Sequence, residues 1–176
     1  MSSEWKHDVP TLGGGQATPA QCWLASFRMM YRFHNQPVES IETRLRAKGI
    51  DVDEALATGL SDKSYVAAGS ALGAKGMWSG ELFKNPAGFF DVGDTKGCEA
   101  FVAKLKDGPL WVSRFIDGGY HATVATGYID PGALEDGYII FNNPWRGPNN
   151  ATEDRTMRAN MYVKHITSAS GSVMAF

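Results

Sequence analysis

The chain holds two cysteines, Cys22 and Cys98, and four histidines. Any thiol–imidazole chemistry has to be built from these. A thiol nucleophile needs a base to take its proton, a group to orient that base, and donors for the developing oxyanion. Cys22 opens a dense apolar run, CWLASFRMMYRFH over residues 22–34. The run is apolar nearly all round, which predicts a buried central helix. A thiol in the first turn of such a helix meets free backbone N–H groups and the positive end of the dipole, which draw its pKa below the ordinary value of about 8.5. Gln16 stands six positions upstream, beside the loop Gly13-Gly14-Gly15. Its side-chain amide and the Cys22 backbone N–H can together form a two-donor oxyanion hole.

The base follows by elimination. His7 lies in the N-terminal segment. His34 is on the same predicted helix as Cys22, roughly 18 Å along it at about 1.5 Å per residue. His165 follows Lys164 with no turn or polar partner beside it. His121 opens a β-rich stretch directly after Gly118-Gly119-Tyr120, and glycines in a tight turn let a ligand come close. The orienting group is expected at the end of a neighbouring strand, where Asn142-Asn143-Pro144-Trp145 closes the run YIIFN. Successive strand side chains face opposite sides, so one asparagine of the two faces the site. Asn143 is the choice, because Pro144 ends strand pairing after it; Asn142 is the alternative. Trp23, Gly119, Tyr120 and Trp145 border these positions and are the candidates for the substrate-binding surface, with Trp145 shielding the Asn–His contact from water.

The elements that must position these groups are legible in outline. Residues 1–15 read as a tail and 16–176 as a single domain. Pro19 precedes the Cys22 helix, where a helix start tolerates it. Asn35-Gln36-Pro37 breaks the pattern, and a second helix is expected over about Val38–Lys48 with Gly49 as its C′ residue. Asp51, Asp53 and Glu54 read as a solvated helix start. Ser61 caps a helix running to about Ala74, with Gly76 after it. Thr95 caps a further one through Cys98, Phe101 and Leu105, stopped by Gly108-Pro109, so Cys98 reads as core. Leu110–Ile116, Tyr120–Ile129 and Tyr138–Asn142 are expected strands, and Met161–Ile166 and Ser172–Phe176 weaker ones. Asp117-Gly118-Gly119 and Asp130-Pro131-Gly132 are turns, and Pro144–Asp154 a polar loop. Helices first and an antiparallel meander afterwards define an α+β fold.

With these residues in view, the sequence resembles the papain-like cysteine peptidases. The resemblance rests on Gln16-x5-Cys22-Trp23-x-Ala25 at a helix start, then Gly119-Tyr120-His121, then Asn143-Pro144-Trp145. The last block is similar to the compact bacterial branch, which includes bacteriocin-leader-processing and plant-pathogen effector proteases. The context Cys-Gly-Ser-Cys-Trp is absent, since Pro19-Ala20-Gln21 precedes Cys22, and the third member is Asn where much of that branch has Asp. The resemblance implies a papain-like fold, with a Cys-bearing central helix packed on a C-terminal antiparallel sheet. It also implies a thiolate–imidazolium pair of Cys22 and His121, an Asn143 orienter, a Gln16 oxyanion donor and an acyl-enzyme. Its substrate is a peptide or protein, and no cofactor is implied. A bacterial toxin or effector with a cognate inhibitor or immunity protein fits the resemblance. Peptidoglycan cleavage and glutamine deamidation use the same thiol chemistry, and a catalytically dead peptide-binding module is the non-enzymatic alternative.

Composition closes off other classes. Seventeen basic and nineteen acidic side chains leave a net charge of −2 with no basic cluster, so nothing marks a nucleic-acid partner. No run of about 18 apolar residues exists to span a membrane. The polar start, Met1 to Thr11, has no apolar core of a Sec-type signal, which leaves a cytoplasmic location or signal-independent export. Two cysteines are too few for a disulfide framework. No Gly-x-Ser-x-Gly, His-Glu-x-x-His or Cys-x-x-Cys pair supports serine-hydrolase or metal chemistry, and no metal site is expected.

Overall fold

The computed structural model describes residues 3–11, 15–83, 96–116, 118–132, 137–145 and 154–176. Strand β1 (Ser3–Lys6) is followed by helices α1 (Cys22–Phe33), α2 (Ser40–Ala47), α3 (Val52–Thr58) and α4 (Tyr65–Leu72). Then come β2 (Gly76–Trp78), α5 (Lys96–Lys106), β3 (Leu110–Ile116), β4 (Gly119–Asp130), β5 (Tyr138–Asn142), β6 (Asp154–Arg158), α6 (Ala159–Lys164) and β7 (Val173–Ala175). The sheet runs β2-β7-β3-β4-β5-β6, with β1 added against β4. Every pairing is antiparallel. The expected α+β class is the class observed.

Two apolar layers cover the two faces of the sheet. Helices α1 to α4 bury Phe27, Met30, Ile41, Leu45 and Ala68 against Trp111, Val124 and Met174. Helices α5 and α6 bury Phe101, Leu105 and Tyr162 against Val112, Phe141 and Val173. This double coverage explains why LWVSRFI of β3 reads as a nearly continuous apolar run instead of an alternating one. Phe27 stacks on Trp111 with ring centroids 4.9 Å apart and planes 9° from parallel. Full burial of a ring of this size is worth about 2–3 kcal/mol, so this contact fixes α1 on the centre of the sheet.

Local chemistry sets the helix ends. The Asp51 carboxylate accepts the Glu54 N–H at 3.0 Å and caps α3. Gly73, at φ 82°, ends α4 in the left-handed region. That is earlier than the expected end near Ala74, and it frees Gly76–Trp78 to form β2 against β7.

Three readings of the sequence need correcting. The segment taken as a tail carries β1, with Trp5 opposite Tyr128 and Lys6 opposite Gly127; four residues are too few to show a period. The weak strand at Met161–Ile166 is mostly helix α6, whose buried Ala159, Tyr162 and Val163 lie at helical spacing. Asp154, expected at the end of the polar loop, is the first residue of β6, an edge strand, and residues 146–153 lie outside the described residues. The Thr95 cap, Gly13, Gly14 and Asp117 lie outside the described residues.

Candidate active site

Cys22 is the first residue of α1, directly after a 3-10 turn over Pro19–Gln21. Cys22 is 7% exposed, and its sulfur accepts the Ala122 backbone N–H at 3.4 Å. That bond joins the head of the central helix to β4 one residue past His121. Cys22 and His121 line one cleft of about 580 Å³. The α1–α4 side supplies Trp23 and Tyr65, and the sheet supplies Trp111, Gly119 and Tyr120. The connection from α3 to α4, including Gly59 and Leu60, forms the far wall.

The imidazole is fixed from behind. His121 Nε2 lies 2.7 Å from Asn143 Oδ1, and the same oxygen accepts the Trp145 backbone N–H at 3.0 Å. A backbone N–H only donates, so the Asn143 atom is the amide oxygen and His121 Nε2 carries the proton. The ring is therefore held as the Nε2–H tautomer, with a lone pair on Nδ1. Asn142 points elsewhere. It is fully buried, and its Nδ2 donates to Val9 O at 3.2 Å, tying the N-terminal segment to the sheet.

Gln16 is 4% exposed, and its Nε2 donates to the carbonyls of Thr18 at 2.9 Å and Pro19 at 3.1 Å. The amide thus braces the turn that leads into Cys22. Its Oε1 is buried with no hydrogen-bond partner. The Gln16 backbone N–H donates to Pro144 O at 2.8 Å, so its loop rests on the Asn143-Pro144 segment. Trp23 forms a cleft wall fixed by its indole N–H to Ala55 O at 3.1 Å. Trp145 is 45% exposed and reaches the site through its backbone N–H.

The electrostatics differ from the helix-dipole expectation. Burial pushes the Cys22 thiol above its ordinary value, and the N–H groups of Ala122, Trp23 and Cys22 only partly oppose it. Burial also pushes His121 below its ordinary value; the Asn143 bond opposes this, and the Arg114 charge adds to it. Both directions favour a neutral thiol beside a neutral imidazole at rest. Burial is the larger influence on the thiol, ahead of the backbone N–H groups that meet the sulfur.

Sequence reasoning missed Tyr65. Its hydroxyl shares a 2.8 Å hydrogen bond with Ser113 Oγ at the back of the cleft, and burial holds its pKa up at about 12. It also missed the α3–α4 wall, for which Gly59 was the available signal. That residue sits at φ 103°, a conformation that favours glycine. Among the described residues no cluster of three or more His, Cys, Asp or Glu side chains is placed to hold a metal. No described helix is long and apolar enough to cross a membrane.

A cysteine at the head of a central helix, packed on an antiparallel sheet that brings a histidine and an asparagine to the same place, is the architecture of the papain-like cysteine peptidases. The family model described as papain-like cysteine protease AvrRpt2 matches residues 3–161, and the chain belongs to that family. No curated protein and no solved structure matches the chain.

Proposed function

We propose that this protein hydrolyses peptide bonds in polypeptide substrates through a covalent thioester on Cys22. The observation that carries the reading is the Asn143 oxygen, which sets the His121 tautomer in the cleft that holds the Cys22 thiol. At rest the proton sits on sulfur. Nδ1 of His121 takes it as sulfur attacks the carbonyl carbon. The Cys22 backbone N–H, in the first turn of α1, and one Gln16 amide N–H released from its carbonyl stabilise the oxyanion. The imidazolium then protonates the leaving amine as the C–N bond breaks. In the second half His121 deprotonates a water, which attacks the thioester and returns the thiol. Membership of the AvrRpt2 family supports a peptidase over a binding module, and an effector role exerted on proteins of another cell is the biological setting we infer from it.

The test is hydrolysis of a denatured protein, such as reduced casein, by wild type, Cys22→Ala and His121→Ala, with circular dichroism confirming the fold of each. Both variants should lose activity by a factor on the order of 10³ or more. Full activity in either one overturns the proposal. A mass increase of about 1 Da on glutamine without chain cleavage would instead assign deamidation.

A further inference from the structure

Arg114 carries a charge in a place built for apolar side chains. It lies within β3 and is 1% exposed. Its Nη1 donates to Met157 Sδ at 3.4 Å, and its Nε is buried with no partner. Among the described residues no carboxylate pairs with it. The guanidinium lies instead over two ring faces, with Cζ 4.1 Å from the Tyr162 centroid and 4.8 Å from that of Phe141. Ring faces attract a cation without neutralising it. A dry cation with no counter-charge is costly, and an apolar chain of similar length would fill the place without that cost.

The position of the charge gives it a use. Arg114 stands directly opposite His121 in the β3–β4 register, so both side chains leave the same face of the sheet, with Cβ atoms about 5 Å apart. The rings against the guanidinium belong to the same neighbourhood. The Tyr162 hydroxyl shares a 2.9 Å hydrogen bond with Thr123, two residues beyond His121. Phe141 is two residues before Asn143, which holds the imidazole. The guanidinium is thus packed behind the base and its orienter, in a dry layer where its field is little screened.

The other ionisable groups around this pair are few. The Cys22 thiol from α1, Tyr65 from α4, Tyr120 from β4 and Asp62 line the cleft with His121. Asp62 is the single carboxylate among the described cleft-lining residues. Tyr162 from α6 faces the guanidinium, Arg155 of β6 lies opposite Phe141, and Lys164 and His165 border Phe115 and Tyr120.

We propose that Arg114 is a positioning residue of the reaction: its buried charge disfavours a second proton on His121 and so keeps the base ready below neutral pH. The inference rests on the peptidase reading above and deepens it by naming what sets the acid limit of activity. The same charge makes the imidazolium formed during attack a readier proton donor to the leaving amine.

The experiment compares wild type with Arg114→Met, Arg114→Gln and Arg114→Lys. One reading is the acid limb of kcat/KM on a casein-derived peptide. The other is the His121 protonation midpoint by NMR in a Cys22→Ala background, with the resonance assigned through His121→Gln. Both neutral variants should raise midpoint and acid limb together by about one pH unit, and Arg114→Lys should restore the wild-type values. A residue that only fills space would change Tm and leave both readings in place. Should the neutral variants unfold, the wild-type midpoint decides: it is expected below the ordinary imidazole value of about 6.5, and a midpoint at or above that value overturns the proposal. An unmoved midpoint in folded neutral variants, with cleavage intact, overturns the role of Arg114 and leaves the peptidase reading standing. No cleavage by wild type above the Cys22→Ala blank overturns both.

Discussion

The Gln16 backbone N–H donates to the Pro144 carbonyl at 2.8 Å, so the loop before the nucleophile rests on the residue that follows the His121 partner. Two segments far apart in sequence thus share one strut. On one side the Gln16 amide braces the Thr18 and Pro19 carbonyls beneath the head of α1. On the other, Asn143 holds the imidazole. Positions of thiol and base are coupled through main chain, which holds geometry better than a contact between two mobile side chains.

Gln16→Ala removes the brace and the oxyanion donor together while keeping the strut, which is a main-chain bond. In hydrolysis assays kcat should fall about 10²–10³-fold with KM little changed, the usual cost of one oxyanion donor. The loss of two hydrogen bonds to carbonyls should also lower Tm by a few degrees. A lowered Tm with unchanged kcat would reduce Gln16 to a brace.

The neighbouring asparagines should separate cleanly. Asn142 bonds Val9 O and faces away from the imidazole, so Asn142→Ala should lower stability by about 1 kcal/mol in urea unfolding and spare kcat in the folded fraction. Asn143→Ala frees the His121 ring and its tautomer, and should lower kcat ten- to a hundredfold with little change in the urea midpoint. Asn143→Asp keeps the acceptor and adds a negative charge that favours the imidazolium. It should stay active, with the acid limb of kcat/KM moved to higher pH. Equal kinetic effects of the two alanine variants would count against the assignment.

Much of this was legible because chemistry and folding used the same residues. The apolar run after Cys22 had to be the central helix, and the turn glycines before His121 and the proline after Asn143 marked strand ends. The bounds of β3 and β5 follow from their apolar runs, Leu110–Ile116 and Tyr138–Asn142. What stayed hidden depended on tertiary contact. Strand β1 exists because β4 offers it an edge, and α6 looked like a strand because Tyr162, Val163 and Ile166 are residue types that favour strands. The upward push on the Cys22 thiol comes from burial, to which local spacing is blind.

The resting state of the thiol and imidazole has a pH signature. Burial raises the Cys22 thiol and lowers His121, so the thiolate fraction stays small through neutral pH and grows only above the ordinary thiol range near 8.5. Alkylation of Cys22 by iodoacetamide, followed by mass spectrometry, should rise through the alkaline range with no plateau near pH 6. A plateau near pH 6 would establish a resting ion pair and reverse the order of proton transfer given above. Stability follows the same signs. Above the unfolded thiol value the unfolded chain gains by ionising Cys22, and below about 6.5 it gains by protonating His121, so both shifts disfavour the fold outside that window. Removing the imidazole in His121→Gln should flatten the acid side of a Tm-against-pH curve.

Gly127 tests the dependence of the site on β1. It faces Lys6, and a Cβ there would run into the Trp5 carbonyl and come within 2.8 Å of the Lys6 Cα. These are backbone atoms, so the collision is relieved only by moving β1 away. The segment that follows β1 carries further ties, among them His7 N–H to Thr126 O at 2.8 Å and Val9 O to Asn142 Nδ2 at 3.2 Å. Gly127→Ala should therefore release β1, strain both ties and leave Asn142 buried without a partner. A fall in Tm of several degrees is expected, with faster hydrogen exchange across residues 3–9. Gly119→Ala meets open space and should leave Tm unchanged. If Gly127→Ala matches wild type in both Tm and exchange, β1 contributes nothing to the sheet that carries His121.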